Sequence, residues 1–135
     1  MSAQVRAAAE SADIGRVAAK LFFGVTDQWR LTDEQRAVLA GVASRSTLNN
    51  WKKRVASGGP LKLSPDTLER LSYIAGIHKA LSLLFADNEH RVHWVAAPNT
   101  DFGGQSALQR MLAGQVADLA YVRKYLDAAR GAQFG

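Results

Sequence analysis

The chain has 135 residues, 47% of them hydrophobic, a formal net charge of +5 and no cysteine. That length supports one compact domain or two small helical modules sharing a core, and the missing thiols exclude disulfides, thiolate metal sites and a cysteine nucleophile. No apolar run is long enough to span a bilayer and no signal peptide is evident, which fits a cytoplasmic protein.

Taken in chain order, an alanine-rich opening predicts a helix from about Val5 to Phe23. Val17, Leu21, Phe22 and Phe23 form its apolar side, and Gly24 is its expected end. Thr32 and Gln35 read as a capping box: the threonine oxygen takes the Gln35 amide, and the glutamine side chain reaches back. The helix that follows carries Val38, Leu39 and Val42, with Gly41 near its close. Next comes "SRSTLNNWKKR", residues 44–54, where Arg45, Lys52, Lys53 and Arg54 stand without an acid among them. On a helix, Leu48, Trp51 and Val55 fall on one side, and Ser46, Asn50 and Lys53 fall opposite, flanked by Asn49 and Arg54.

The tryptophan therefore anchors the polar face outward. A helix this short must dock by its apolar stripe. Two short helices, the second amphipathic and basic, predict a helix-turn-helix. Gly41 to Leu48 is seven residues, one more than the tightest such pattern. Asn49 and Asn50 suit adenine edges, Arg45 or Arg54 suit guanine, and Ser46 and Thr47 suit phosphate near the helix start. Lys52 and Lys53 would add salt-dependent affinity. Charge agrees: residues 31–60 carry five cations and two acids, a local +3, whereas residues 61–98 carry four of each and are neutral. A solvated basic face is the plainer reading of the charge alone.

Ser57-Gly58-Gly59-Pro60 reads as a loop, and Ser64-Pro65 as a helix start with serine at the N-cap. The long helix that follows is apolar most of the way round, so it belongs at the centre. A shorter helix covers Asn88 to Val95. Residues 99–104 form a turn-rich connector. Two more helices run from Ser106 to Leu112, stopped by Gly114, and from Val116 to Arg130, stopped by Gly131. The last carries a stripe of Val116, Leu119, Val122, Leu126 and Ala129. Strand alternation is scarce, so the expected fold is all-α.

Residues 63–131 resemble the Xre/MbcA/ParS antitoxin family. The motifs are "ERLSYIAGIHKAL", Trp94 followed by Pro98-Asn99, Phe102-Gly103-Gly104, Met111-Leu112 with Gly114, and the closing "VRKYLDAARG". The helix-turn-helix lies where that family carries its Xre-like module. The resemblance implies residues 1–60 as the DNA-binding module and residues 61–135 as a toxin-binding and dimerisation domain. It implies a bacterial, non-enzymatic antitoxin without cofactor, whose partner is a RES-domain toxin that degrades NAD or transfers ADP-ribose from it. The antitoxin would cover the NAD pocket and bind its own promoter, as a homodimer within a larger hetero-oligomer. The toxin-binding residues implied are Asn99, Phe102, Gly103, Gly104, Arg123, Tyr125, Leu126 and Arg130, with the tail Ala132 to Gly135 short enough to enter a cleft. Arg123 and Arg130 are expected to be free to reach a partner.

Other readings carry less. His90 and His93 are three apart but lack a third ligand, and His78 suits a packed position. No nucleophile elbow, phosphate loop or carboxylate pair is present. The rival is a one-component transcription factor with a ligand-sensing helical C-terminal domain.

Overall fold

The computed structural model describes residues 2–134, with side chains described through Gly131. Among the described residues seven α-helices follow one another: α1 (Ala3–Gln28), α2 (Asp33–Ala40), α3 (Arg45–Ser57), α4 (Pro65–Leu84), α5 (Asn88–Ala96), α6 (Ala107–Met111) and α7 (Val116–Phe134). A 3-10 turn, Thr100–Phe102, lies between α5 and α6. The fold is all-α, as the sequence predicts.

Several helix ends follow the capping chemistry of the sequence. Thr32 and Gln35 form the capping box in both directions, and Ser64 accepts from the Thr67 amide with Pro65 in the first turn. Gly41 ends α2 in the left-handed region at φ 69°, and the Val42 amide reaches back to the Ala37 carbonyl at 3.0 Å. This is the glycine C-terminal motif, which satisfies the Ala37 and Val38 carbonyls of the last turn.

Two expected stops are not stops. α1 continues through Gly24 because its next turn is held by burial of Val25 and Thr26. Thr26 also bonds the Phe22 carbonyl at 2.8 Å. The true end uses Arg30, which takes the left-handed conformation at φ 61°. The Arg30 amide bonds Asp27 and the Leu31 amide bonds Thr26, both at 3.0 Å, the pattern that glycine more often supplies. Likewise α7 continues through Gly131 to Phe134. The expected apolar side of α1 also needs correction. Val17 and Leu21 are exposed, and the buried face is Gly15, Ala19, Phe22, Val25 and Thr26.

One hydrophobic core runs through the molecule. It takes Phe22 and Val25 from α1, Leu39 from α2, and Leu48 and Trp51 from α3. It continues through Leu71, Ile74, Ile77 and Leu81 of α4 to Leu119, Val122 and Leu126 of α7. α4 is the central helix and packs against α1, α2, α5 and α7. Two glycines mark close approaches. A Cβ on Gly15 would sit 2.0 Å from the Leu61 carbonyl oxygen, and one on Gly76 would meet the Arg123 guanidinium.

Candidate functional sites

α2, the four residues 41–44 and α3 form a helix-turn-helix, and the turn is of ordinary length once α3 is seen to begin at Arg45. Leu48 and Trp51 are buried, and Val55 of the same helix is partly buried against the core. Ser46, Asn49, Asn50, Lys53 and Arg54 are exposed along the outer side. Ser44 is the N-cap residue, but its side chain bonds no amide. It meets the Ser46 hydroxyl at 2.9 Å and the Thr47 hydroxyl at 3.4 Å instead. The first amides of α3 therefore have no side-chain acceptor at the cap, which suits an incoming anion.

The four cations of this stretch divide into two kinds. Arg45 pairs with Glu34 of α2. Lys52 is half-buried and donates to both carboxylate oxygens of Asp33 at 3.0 Å. Lys53 and Arg54 have no acidic partner among the described residues, so they carry the open positive charge of the helix.

Arg36 counts toward the basic total in the sequence, but the structure takes it out of the surface. It is 8% exposed, and its guanidinium bonds Thr26 at 2.8 Å, Asp33 at 2.9 Å and Asp27. The Phe23 ring lies between Arg36 and Lys52, at 5.9 and 5.6 Å from their charged ends. This polar knot ties α1, α2 and α3 together. The Lys52 ammonium first, and the Arg36 guanidinium second, hold the Asp33 carboxyl below its ordinary range. The sequence signal was present as Asp33–Arg36 spacing, but nothing local places Thr26 and Asp27 beside it.

The second site is built on the connector and α7. Asn99 caps the 3-10 turn by accepting the Asp101 amide at 2.9 Å. Phe102 is buried, with ring centroids of Tyr125, Tyr121 and Trp94 at 4.9, 5.8 and 6.1 Å. Tyr125 donates its hydroxyl to Asp101 at 2.6 Å. That bond, with some burial, pushes the phenol up from its ordinary value. Arg110 lies 4.0 Å over the Tyr121 ring and bonds Asp118 at 2.9 Å. Gly103 and Gly104 take φ 66° and 87°, and among the described residues no atom beyond their chain neighbours lies within 4 Å of where a Cβ would be. The connector backbone is thus open to a partner.

Leu126 is 1% exposed, so it fixes α7 and offers no area to a partner. Phe102 likewise acts by holding the connector against α7. Arg123 lies across Gly76 and bonds Asp127 at 3.0 Å, and Arg130 approaches the same carboxylate at 3.5 Å. Neither arginine is free in the sense expected; they form one cluster of two cations on one acid. With Gly131, these three line an open groove of ≈ 410 Å³. Beside the connector, a cleft of ≈ 300 Å³ is lined by Phe85, His90, His93, Trp94, Pro98 and Asn99 among others. Trp94, Asp101 and Tyr121 belong to this site, although residue type alone does not single them out. The i, i+4 spacing of Tyr121 and Tyr125 was the available signal. The side chains of Ala132, Gln133 and Phe134, and all of Gly135, lie outside the described residues.

Among the described residues no group of three His, Cys, Asp or Glu side chains could hold a metal ion, and no helix is long and apolar enough to cross a membrane. A family model for the antitoxin Xre-like helix-turn-helix domain matches residues 8–76. A second, for the antitoxin Xre/MbcA/ParS C-terminal toxin-binding domain, matches residues 80–131. The chain is also similar to uncharacterized protein y4oB of Sinorhizobium fredii. The two are 46% identical over 133 residues, which cover 97% of this chain and 99% of that relative.

Proposed function

The chain belongs to the family of Xre-type antitoxins with a C-terminal toxin-binding domain, and from that premise we propose that it neutralises a RES-domain toxin and represses its own operon. The toxin would consume NAD or transfer ADP-ribose from it. The chain contributes no chemistry of its own and needs no cofactor: it acts by occupying the toxin's NAD pocket, in the bacterial cytoplasm. Residues 61–135 would carry toxin binding and residues 1–60 operator binding.

The observation that supports neutralisation is the surface formed by the connector and the end of α7, inside the segment matched by the toxin-binding family. Two guanidiniums share the Asp127 carboxylate there, so the cluster keeps a net positive charge. Such a charge suits a pocket that otherwise receives pyrophosphate. The open glycine backbone of Gly103 and Gly104 permits close approach by a partner. The toxin-binding family match over residues 80–131 is why this reading is preferred to a small-molecule regulator.

Operator binding would use Asn49, Asn50, Lys53 and Arg54 on the outer side of α3, with Ser46 and Thr47 at its start. Arg45 and Lys52 would set the helix against α2 and could turn to phosphate only by releasing Glu34 and Asp33. Two copies on a palindrome would assemble with the toxin into a larger complex.

The test is NAD consumption by the toxin encoded beside this gene, titrated with the full chain and with a chain lacking Arg130 to Gly135. The full chain should form a complex stable to size-exclusion chromatography and suppress NAD loss. The truncated chain should suppress it weakly. Equal inhibition by both would remove the tail from the blocking element, and no effect of either on the toxin would refute neutralisation.

A further inference from the structure

We propose that α1 pairs antiparallel with α1 of a second copy of this chain, along a heptad seam that the monomer leaves uncovered. This rests on the homodimer part of the reading above and assigns its interface to α1 rather than to the C-terminal half.

The seam is visible in the spacing. Positions 3, 7, 10, 14, 17, 21, 24 and 28 alternate steps of four and three, the repeat that keeps one stripe facing a partner helix. Its middle is apolar and open: Ile14, Val17 and Leu21 are 57%, 61% and 46% exposed. The body of the protein lies on the other side of α1, against Gly15, Ala19 and Phe22. Within the monomer the stripe only edges open grooves, Ile14 and Leu21 beside Leu68, Leu71 and Ala75 of α4 and Leu21 beside His78, and it stays largely uncovered.

Charge identifies the occupant and its direction. One flank of the seam carries Arg6, Asp13, Lys20 and Asp27, each seven residues from the next and alternating in sign; all four are exposed. Set Ile14 opposite Val17 of a second copy, antiparallel. The same two-fold operation then sets Asp13 opposite Lys20 of the copy and Arg6 opposite Asp27 of the copy. Every charge on the flank meets its opposite. A parallel pair would instead face this flank with Ser11, Ala18 and Val25, leaving the four charges unanswered. Asp13 and Asp27 each bond an arginine of their own chain through one oxygen only, so the other remains for the partner.

Two further features fall into place in this register. Gly24 sits mid-helix with nothing within 4 Å of where its Cβ would be. Glycine is the least favoured helix-interior residue after proline, and nothing in the monomer asks for it here. The register sets it against Ala7 of the copy, small on small, where two helices can approach closely. Residues 3–10 of α1 are exposed at every position, and an unsupported helical stretch of that length is marginal in water. In the pair they lie along residues 21–28 of the copy, beside the cleft of ≈ 380 Å³ that Val17, Leu21, Gly24 and His78 help to line. The contact would run the length of α1, 26 residues, about 39 Å. It is two-fold symmetric, the symmetry that a palindromic operator requires. Glu10 is the one charged residue on the seam, opposite Leu21 of the copy.

The experiment is light scattering and sedimentation of the full chain across the micromolar range, without DNA or toxin, with circular dichroism confirming the fold of each variant. The wild type should be a dimer. Val17→Asp should yield monomers, and Asp13→Lys or Lys20→Asp alone should weaken the dimer severalfold. The double variant, Asp13→Lys with Lys20→Asp, should recover it. Glu10→Leu should tighten it. A dimer indifferent to all five variants would overturn the seam while leaving homodimerisation intact. Single variants that weaken the dimer without recovery in the double would overturn the antiparallel register. A monomeric wild type would overturn both the seam and the homodimer, and would leave operator and toxin binding to stand on their own assays.

Discussion

Trp51 and Asn50 are neighbours in sequence on opposite sides of α3, and replacing each by alanine should separate stability from recognition. Trp51 is 4% exposed, beside the fully buried Leu48, in the core shared by α1, α3 and α4. Truncating a buried tryptophan to alanine costs about 3–5 kcal/mol in lost transfer energy and cavity formation. A chain of this length has an unfolding entropy near 0.28 kcal/mol/K at its midpoint, so Trp51→Ala should lower Tm by about 10–18 °C. Because the core is continuous from α1 to α7, the far-UV melt should stay a single transition. Asn50 is exposed on the outer side of α3, so Asn50→Ala should move Tm by no more than about 2 °C. It should still weaken operator binding, by about 1–3 kcal/mol if the amide makes a bidentate contact to adenine. A Trp51→Ala melt within a few degrees of wild type would refute the burial argument. Lost operator affinity at unchanged stability would assign the ring to the DNA instead.

Two more outcomes follow from the same geometry. Asn50→Ala, Lys53→Ala and Arg54→Ala combined should abolish specific shifts in a gel assay and lower the salt dependence of binding by about two units in log–log slope; unchanged affinity would remove α3 from the DNA interface. The Asp33 carboxyl is held below its ordinary 3.8 by Lys52 and then Arg36, so its contribution is present in full above that value and is lost as pH falls through the lower folded value. Asp33→Asn should therefore destabilise the protein at neutral pH and flatten the acid limb of its stability curve, measured by urea unfolding from pH 7 downward; an acid limb unchanged by the substitution would refute the pairing.

Much of the architecture was legible because local chemistry sets it. The capping box at Thr32, the Ser64-Pro65 start and the Leu48/Trp51 stripe each depend on residues within one or two turns. What was illegible depends on partners far along the chain. Gly24 looks like a stop until Val25 and Thr26 are seen to be buried. Val17 and Leu21 look like core because apolar residues are normally placed there, and only the packing of α1 against α4 shows that they face outward. Arg36 and Lys52 look like surface charge because nothing local places Thr26, Asp27 and Phe23 around them. The toxin-binding candidates were named from motifs, and motifs record which residues belong together without separating those that touch a partner from those, such as Leu126, that hold the others in place.

The boundary between the two family matches, between residues 76 and 80, falls inside α4 and not in a linker. Arg70 on that helix shows what this means physically. Its side chain, 12% exposed, pairs with Asp66 at 3.2 Å and donates to the Gly114 carbonyl at 3.0 Å, just ahead of α7. It also fills the space over the turn between α2 and α3, where a Cβ on Gly41 would meet its guanidinium at 2.6 Å. Six residues further on, Gly76 receives Arg123 of the candidate toxin-binding cluster. One rigid helix thus carries the turn of the DNA-binding unit on one side and the α7 cluster on the other. A helix has no soft joint at which two such units could move independently, and the core on both sides is continuous. α7 packs against both α4 and α6, and Arg70 joins the segment just ahead of α7 to the turn that sets α3. These are direct contacts between neighbours, with Arg70 as the link between the α2–α3 turn and the start of α7.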